Sequence, residues 1–181
     1  MIVYYGPPGV GRSTLADQIC RNSAAKGHRI LYGYSSERRN RPHVVPEDQG
    51  ETISFMDAIA TWERYYFDVA VLDASPLYGI YDGPSERAAT LNRICLMAER
   101  RTVLLFLQAS RSGDGIPTHI RHAAETIILL SAGEGGEILG TYEKTRGEDL
   151  RGATVQMGAI KGPPPAPLQL SRWRLLFGSN E

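Results

Sequence analysis

The chain has 181 residues, of which 42% are hydrophobic, with 20 lysine plus arginine balanced by 20 aspartate plus glutamate. That length fits one domain with a sizeable core and leaves no room for a second, and a net charge of zero excludes a polybasic protein that coats nucleic acid by bulk electrostatics. No apolar run approaches the roughly 18 residues needed to cross a membrane, and no signal peptide precedes the first glycine, so a soluble, cytoplasmic protein without membrane contact is expected.

In chain order, residues 2 to 5 are a short β-prone run leading into Gly6-Pro7-Pro8-Gly9-Val10-Gly11. From residue 13 to about 25, Leu15, Ala16, Ile19 and Cys20 recur at helical spacing, and Lys26-Gly27 supplies the stop. Residues 29 to 34 read as a second strand, followed by Ser35-Ser36-Glu37, and residues 38 to 50 as an exposed connection carrying Arg38, Arg39 and Arg41. A helix is expected from about 52 to 65. Residues 67 to 72 form an apolar run ending at Asp73, as in a strand buried on both faces. After a Pro/Gly loop at 75 to 84, a helix is expected from 85 to 100 and a buried strand from 102 to 107, closed by Gln108.

The last third changes character. Residues 126 to 130, 137 to 143 and 153 to 160 read as three successive strands with no helix long enough to separate them. Residues 162 to 167 form a proline-rich linker, and 168 to 177 an apolar, basic tail suited to a protein partner. The expected organisation is therefore one domain over 1 to 161 and a linker with tail over 162 to 181. Cys20 and Cys95 are expected as buried free thiols.

Gly6-x-x-x-x-Gly11-Arg12-Ser13 fits the P-loop pattern except that arginine stands where lysine is usual. Glycines let backbone N–H groups turn around phosphate oxygens, and the start of the following helix adds partial positive charge. Gly6, Pro7, Pro8, Gly9, Val10, Gly11, Arg12, Ser13 and Thr14 are the expected nucleotide-binding residues. The Ser13 hydroxyl and the Asp73 carboxylate are the expected magnesium ligands. Arg12 keeps the charge of lysine in a planar fork, which implies either an adapted loop or slow turnover. Only Lys26, Lys144 and Lys161 among the 20 basic residues are lysine, so a general drift to arginine also explains the exchange.

The order of these features resembles the RecA-like ATPase core, in the branch of DnaB-type helicases, RadA-type repair ATPases and KaiC-like proteins, including short phage-type recombinases. The resemblance spans about residues 1 to 161. It implies an α/β fold with a mainly parallel central sheet, helices on both faces and an antiparallel C-terminal strand extension. It implies ATP and Mg²⁺ as ligands, and a homo-oligomer, either a hexameric ring or a filament, acting on single-stranded DNA in recombination, repair or replication. Ile30-Leu-Tyr-Gly-Tyr-Ser-Ser-Glu37 is similar to the family's strand ending in the glutamate that positions the attacking water, with a one-residue offset. Leu104-Leu-Phe-Leu-Gln108 is similar to the strand ending in a polar sensor. Gly140-Thr-Tyr-Glu-Lys144-Thr-Arg146, read as an antiparallel edge strand with Lys144 and Arg146 two apart and so on one side of it, is similar to the K-x-R finger pair that completes a neighbour's site.

By the same resemblance, the loops after Asp73 and Gln108 would touch DNA, with Tyr78, Tyr81, Arg111 and Arg121 as contacts. Two other readings stay open: a nucleotide-dependent regulatory or assembly subunit with weak hydrolysis, and a small nucleotide or metabolite kinase. The run of strands after residue 126 argues against the kinase.

Overall fold

A computed structural model describes residues 1–34, 44–74, 84–109, 116–146 and 150–160. The elements in chain order are β1 (Ile2–Gly6), α1 (Arg12–Ala25), β2 (Ile30–Tyr34), β3 (Gly50–Ser54), α2 (Phe55–Thr61), β4 (Val69–Ala74), α3 (Pro84–Arg100), β5 (Thr102–Gln108), α4 (Thr118–Ala123), β6 (Thr126–Ala132), β7 (Glu137–Lys144) and β8 (Thr154–Ala159). Single 3₁₀ turns precede β3 and follow α2.

Among the described residues, eight strands form one mixed sheet in the order β3-β2-β4-β5-β1-β6-β7-β8. Strands β1 to β6 are mutually parallel, whereas β7 runs antiparallel to both of its neighbours. The expected α/β architecture with an antiparallel C-terminal extension is present. Apart from Asp73 in β4 and the two ends of β5, the central strands β4 and β5 are apolar because both of their faces are covered. Val3, Leu105 and Leu72 pack under α2, α3 and α4, while Tyr4, Phe106 and Val71 pack under α1. On the α1 face, Tyr4 stacks on Phe106 in the neighbouring strand, ring centroids 4.6 Å apart, a pairing worth about 0.5–1.5 kcal/mol beyond its area.

Several expectations need correction. The helix expected from 52 begins at Phe55, and residues 50 to 54 are instead an edge strand paired with β2. Ser54 sets that boundary: its hydroxyl oxygen accepts from the Asp57 N–H at 3.1 Å, which caps the helix start. Within the connection expected to be exposed, Val44 and Val45 are buried in the α1-side core. Residues 118 to 123, for which no element is expected from the sequence, form α4, whose Ile120 is fully buried. Cys20 is buried as expected, but Cys95 is only half-buried; both are free thiols. No helix among the described residues is long and apolar enough to cross a membrane. The linker and tail from 162 onward lie outside the described residues.

Candidate functional site

The turn from Gly6 to Gly11 leaves the C-terminal end of β1, held between β5 and β6. Gly6 pairs with Gln108 across β5, and its carbonyl accepts the Ala109 N–H at 2.9 Å. A Cβ on Gly6 would stand 2.7 Å from the Leu130 carbonyl oxygen, so the root of the turn admits no side chain. Gly9 and Gly11 have φ of 84° and 86°, the left-handed region that glycine enters without steric cost. Pro7, Pro8 and Gly9 are exposed, whereas Val10 is anchored in the α1-side core.

Helix α1 starts directly from this turn. Gly11 offers no side-chain cap, and the first turn contains no acidic residue. The helix therefore presents backbone N–H groups and the positive end of its dipole with no carboxylate of its own to neutralise them. Ser13 is buried and Thr14 half-buried in that first turn.

Arg12, the first residue of α1, is buried, only 7% exposed. Its Nη2 donates to Gln108 Oε1 at 3.3 Å, and its buried Nη1 has no hydrogen-bond partner. Burial lowers the Arg12 pKa, and the negative charge of Asp73 opposes that shift. The guanidinium stays protonated, since arginine does not lose its proton in proteins. Asp73 itself is fully buried near the end of β4. Strand alternation puts it with Val69 and Val71 on the α1 face, and its charge also acts on Cys20 and Tyr32. Arg12, Ser13, Asp73 and Gln108 thus converge at one end of the sheet, from α1, β4 and β5.

Lys144 and Arg121 belong to a different place. Lys144 pairs with Ile127, near the start of β6, level with Val3 rather than Gly6. It is therefore about 10 Å farther down the sheet than the glycine turn, and two strands to the side. Its Nζ donates to the Arg121 carbonyl at 2.7 Å and the His122 carbonyl at 3.3 Å, at the C-terminal end of α4. The Arg121 side chain, expected at a DNA-facing loop, sits on α4 and pairs with Glu143 Oε2 at 3.3 Å. Glu143 Oε1 accepts a short hydrogen bond from the Tyr5 hydroxyl. Tyr5 is the residue before Gly6, so the end of β7 is joined to the root of the turn. β7 ends at Lys144, so the exposed Arg146 lies beyond the strand, and alternation along it does not put the two cations on one side. β7 is also an interior strand, with β8 at the edge.

Glu37, Tyr78, Tyr81 and Arg111 lie outside the described residues. Sequence reasoning missed Tyr5 and Glu143. The only linear signal for them is that one precedes Gly6 and the other Lys144. Neither a protein-family model nor a curated protein sequence matches the chain.

Proposed function

We propose that the protein is a RecA-like P-loop ATPase that binds ATP with Mg²⁺ and couples its hydrolysis to transactions on single-stranded DNA, as an oligomer. One observation carries this reading. A turn with two left-handed glycines joins a central parallel strand to an uncapped helix N-terminus, with Arg12, Asp73 and Gln108 gathered beneath it. Backbone N–H groups of the turn and of the first turn of α1 would hold the phosphates.

Ser13 and Asp73 offer hydroxyl and carboxylate oxygens, the hard donors that Mg²⁺ takes together with water and phosphate. No group of three or more His, Cys, Asp and Glu stands together among the described residues, so the chain would supply only part of the coordination. Bound magnesium would neutralise charge developing on the transferred phosphoryl group. Glu37 is the proposed residue for orienting the attacking water, and Lys144 and Arg146 the cations offered to a neighbouring copy. The distance from Lys144 to the turn of its own chain favours action in trans over action in cis.

The test is ATP turnover as a function of protein concentration, with and without single-stranded oligonucleotide. Turnover per chain should rise with both, and Arg146→Ala should abolish the rise while leaving nucleotide binding nearly intact. Turnover equally slow at all concentrations, with or without DNA, would sink the motor reading. The buried, Gln108-bound state of Arg12 would then favour the second reading, a nucleotide-dependent assembly or regulatory subunit with weak hydrolysis.

A further inference from the structure

We propose that Arg12 works as a two-sided bridge, with Nη2 on Gln108 and Nη1 reserved for a phosphate oxygen, so that Gln108 senses the nucleotide through Arg12 rather than by touching it. The inference rests on the ATP-binding reading above and concerns how that site reports its state.

A lysine ammonium is a point charge on a flexible stem, whereas a guanidinium presents its donors in a rigid planar fork. One edge of the Arg12 fork is already engaged, with Nη2 3.3 Å from Gln108 Oε1. The Nη1 edge is buried and has no hydrogen-bond partner. A buried donor left unsatisfied costs about 1–3 kcal/mol, more when charged, and such a group calls for an acceptor. The side chain is more than nine-tenths buried, so solvent does not serve it. Arg12 is also the first residue of a 14-residue helix whose N-terminus has neither a side-chain cap nor an acid in its first turn. The acceptor chemistry that suits both is an anionic oxygen, and a nucleotide phosphate held by the glycine turn provides it.

Gln108 is well placed to pass the signal on. It ends β5 opposite Gly6, and the next residue donates its N–H to the Gly6 carbonyl at 2.9 Å. The turn and the end of β5 are therefore joined twice, by this backbone bond and by the Arg12 fork. A phosphate that pulls on one side of a planar fork reorients the other side with it. A lysine at this position has three donors but no rigid plane, so a bond to the phosphate would not fix the direction of one to the glutamine.

The bridge is tested by a double-mutant cycle on the full chain, measuring affinity for a non-hydrolysable ATP analogue and for ADP by calorimetry in magnesium buffer. Arg12→Lys keeps the charge and removes the fork, and Gln108→Met keeps the volume and removes the acceptor. Gln108→Met should weaken analogue binding about 5- to 10-fold in the natural background and less than about 2-fold in the Arg12→Lys background. It should affect ADP less than the analogue. Equal weakening in both backgrounds, with analogue still bound, overturns the bridge and leaves the ATP site standing. A natural chain that melts cooperatively yet binds neither nucleotide overturns the underlying site instead. A merely structural Arg12–Gln108 contact would lower the melting temperature without producing this coupling in affinity, and that result also refutes the proposal. If Gln108→Met does not fold, Gln108→Ala is read in its place.

Discussion

Replacing Gly11 with alanine probes the start of α1 most directly. Gly11 has φ 86° and ψ 17°, a left-handed conformation that costs an alanine about 1–2 kcal/mol. The new Cβ would lie 2.8 Å from Ile138 Cδ1, 3.1 Å from Ile138 Cγ1 and 3.3 Å from Ile160 Cγ1. These are ends of aliphatic side chains that can shift, so crowding adds about 1 kcal/mol, the low end for overpacking. Loss of unfolded-state freedom returns about 0.4–1 kcal/mol. The net expectation is about 2 kcal/mol of destabilisation, or a fall in melting temperature of about 4–8 °C for a chain of this size. Gly9→Ala is the control: its φ is 84°, but nothing stands within 4 Å of the new Cβ. It should cost about 1 kcal/mol or less. Urea and thermal melts followed by circular dichroism give both numbers. If Gly11→Ala costs no more than Gly9→Ala, then Ile138 and Ile160 do not cover the helix start, and the docking of the C-terminal strands on the glycine turn is wrong.

Other outcomes follow from the same structure. Tyr4, Tyr5 and Tyr32 all have pKa values raised, first by burial, with Tyr142, Glu143 and Asp17 respectively adding to it. A folded-state pKa above the unfolded value favours the protonated native form. Their contribution is therefore complete below about pH 10, the unfolded tyrosine value, and is lost progressively as pH rises above it. Absorbance titration of tyrosinate should show these three of the nine tyrosines ionising only with unfolding, and their titration alongside exposed tyrosines in the folded protein would contradict the burial. Ser54→Ala removes the cap of α2 and should cost about 1 kcal/mol in a urea melt, whereas no change would mean that the boundary between β3 and α2 is fixed elsewhere.

The core of the fold is legible from the chain because strands covered on both faces have no room for polar residues. Residues 67 to 72 and 102 to 107 therefore announce themselves, and so does the glycine turn before an amphipathic α1. Strand β3 does not, because the edge strand Gly50-Glu51-Thr52-Ile53-Ser54 has no fully buried side chain to make an apolar run and leads straight into a helix. The pair Ser54 and Asp57, three apart, marks the true helix start and is the signal that periodicity alone overlooks. Helix α4 has six residues, too few to show a period. The site divides in the same way. Phosphate-binding glycines lie close together in the chain and can be read as a motif. The contacts that tune them cannot, since Arg12 meets Gln108 across 96 positions and Tyr5 meets Glu143 across 138. For Lys144, chain spacing suggests a free strand cation, whereas it is engaged with the last carbonyls of α4, which only the packing of β7 beside that helix determines.

The place of β1 in the sheet has a bearing on how the protein is made. Strand β1 lies between β5 and β6, whose last residues are 108 and 132, and so precedes both of its neighbours in the chain. Helix α1 is further fastened to the end of the sheet by Gln18, which donates to the Ala159 carbonyl at 2.7 Å. The glycine turn therefore cannot be framed on both sides until synthesis has passed residue 132. At about 5–20 residues per second, β1 waits roughly 6 to 25 s for the last of its neighbours. During that interval Ile2, Val3, Tyr4 and Tyr5 form an apolar β-prone segment with both strand edges open. Folding dominated by such distant pairings is slow, and β1 stays open to mispairing while the rest of the sheet arrives.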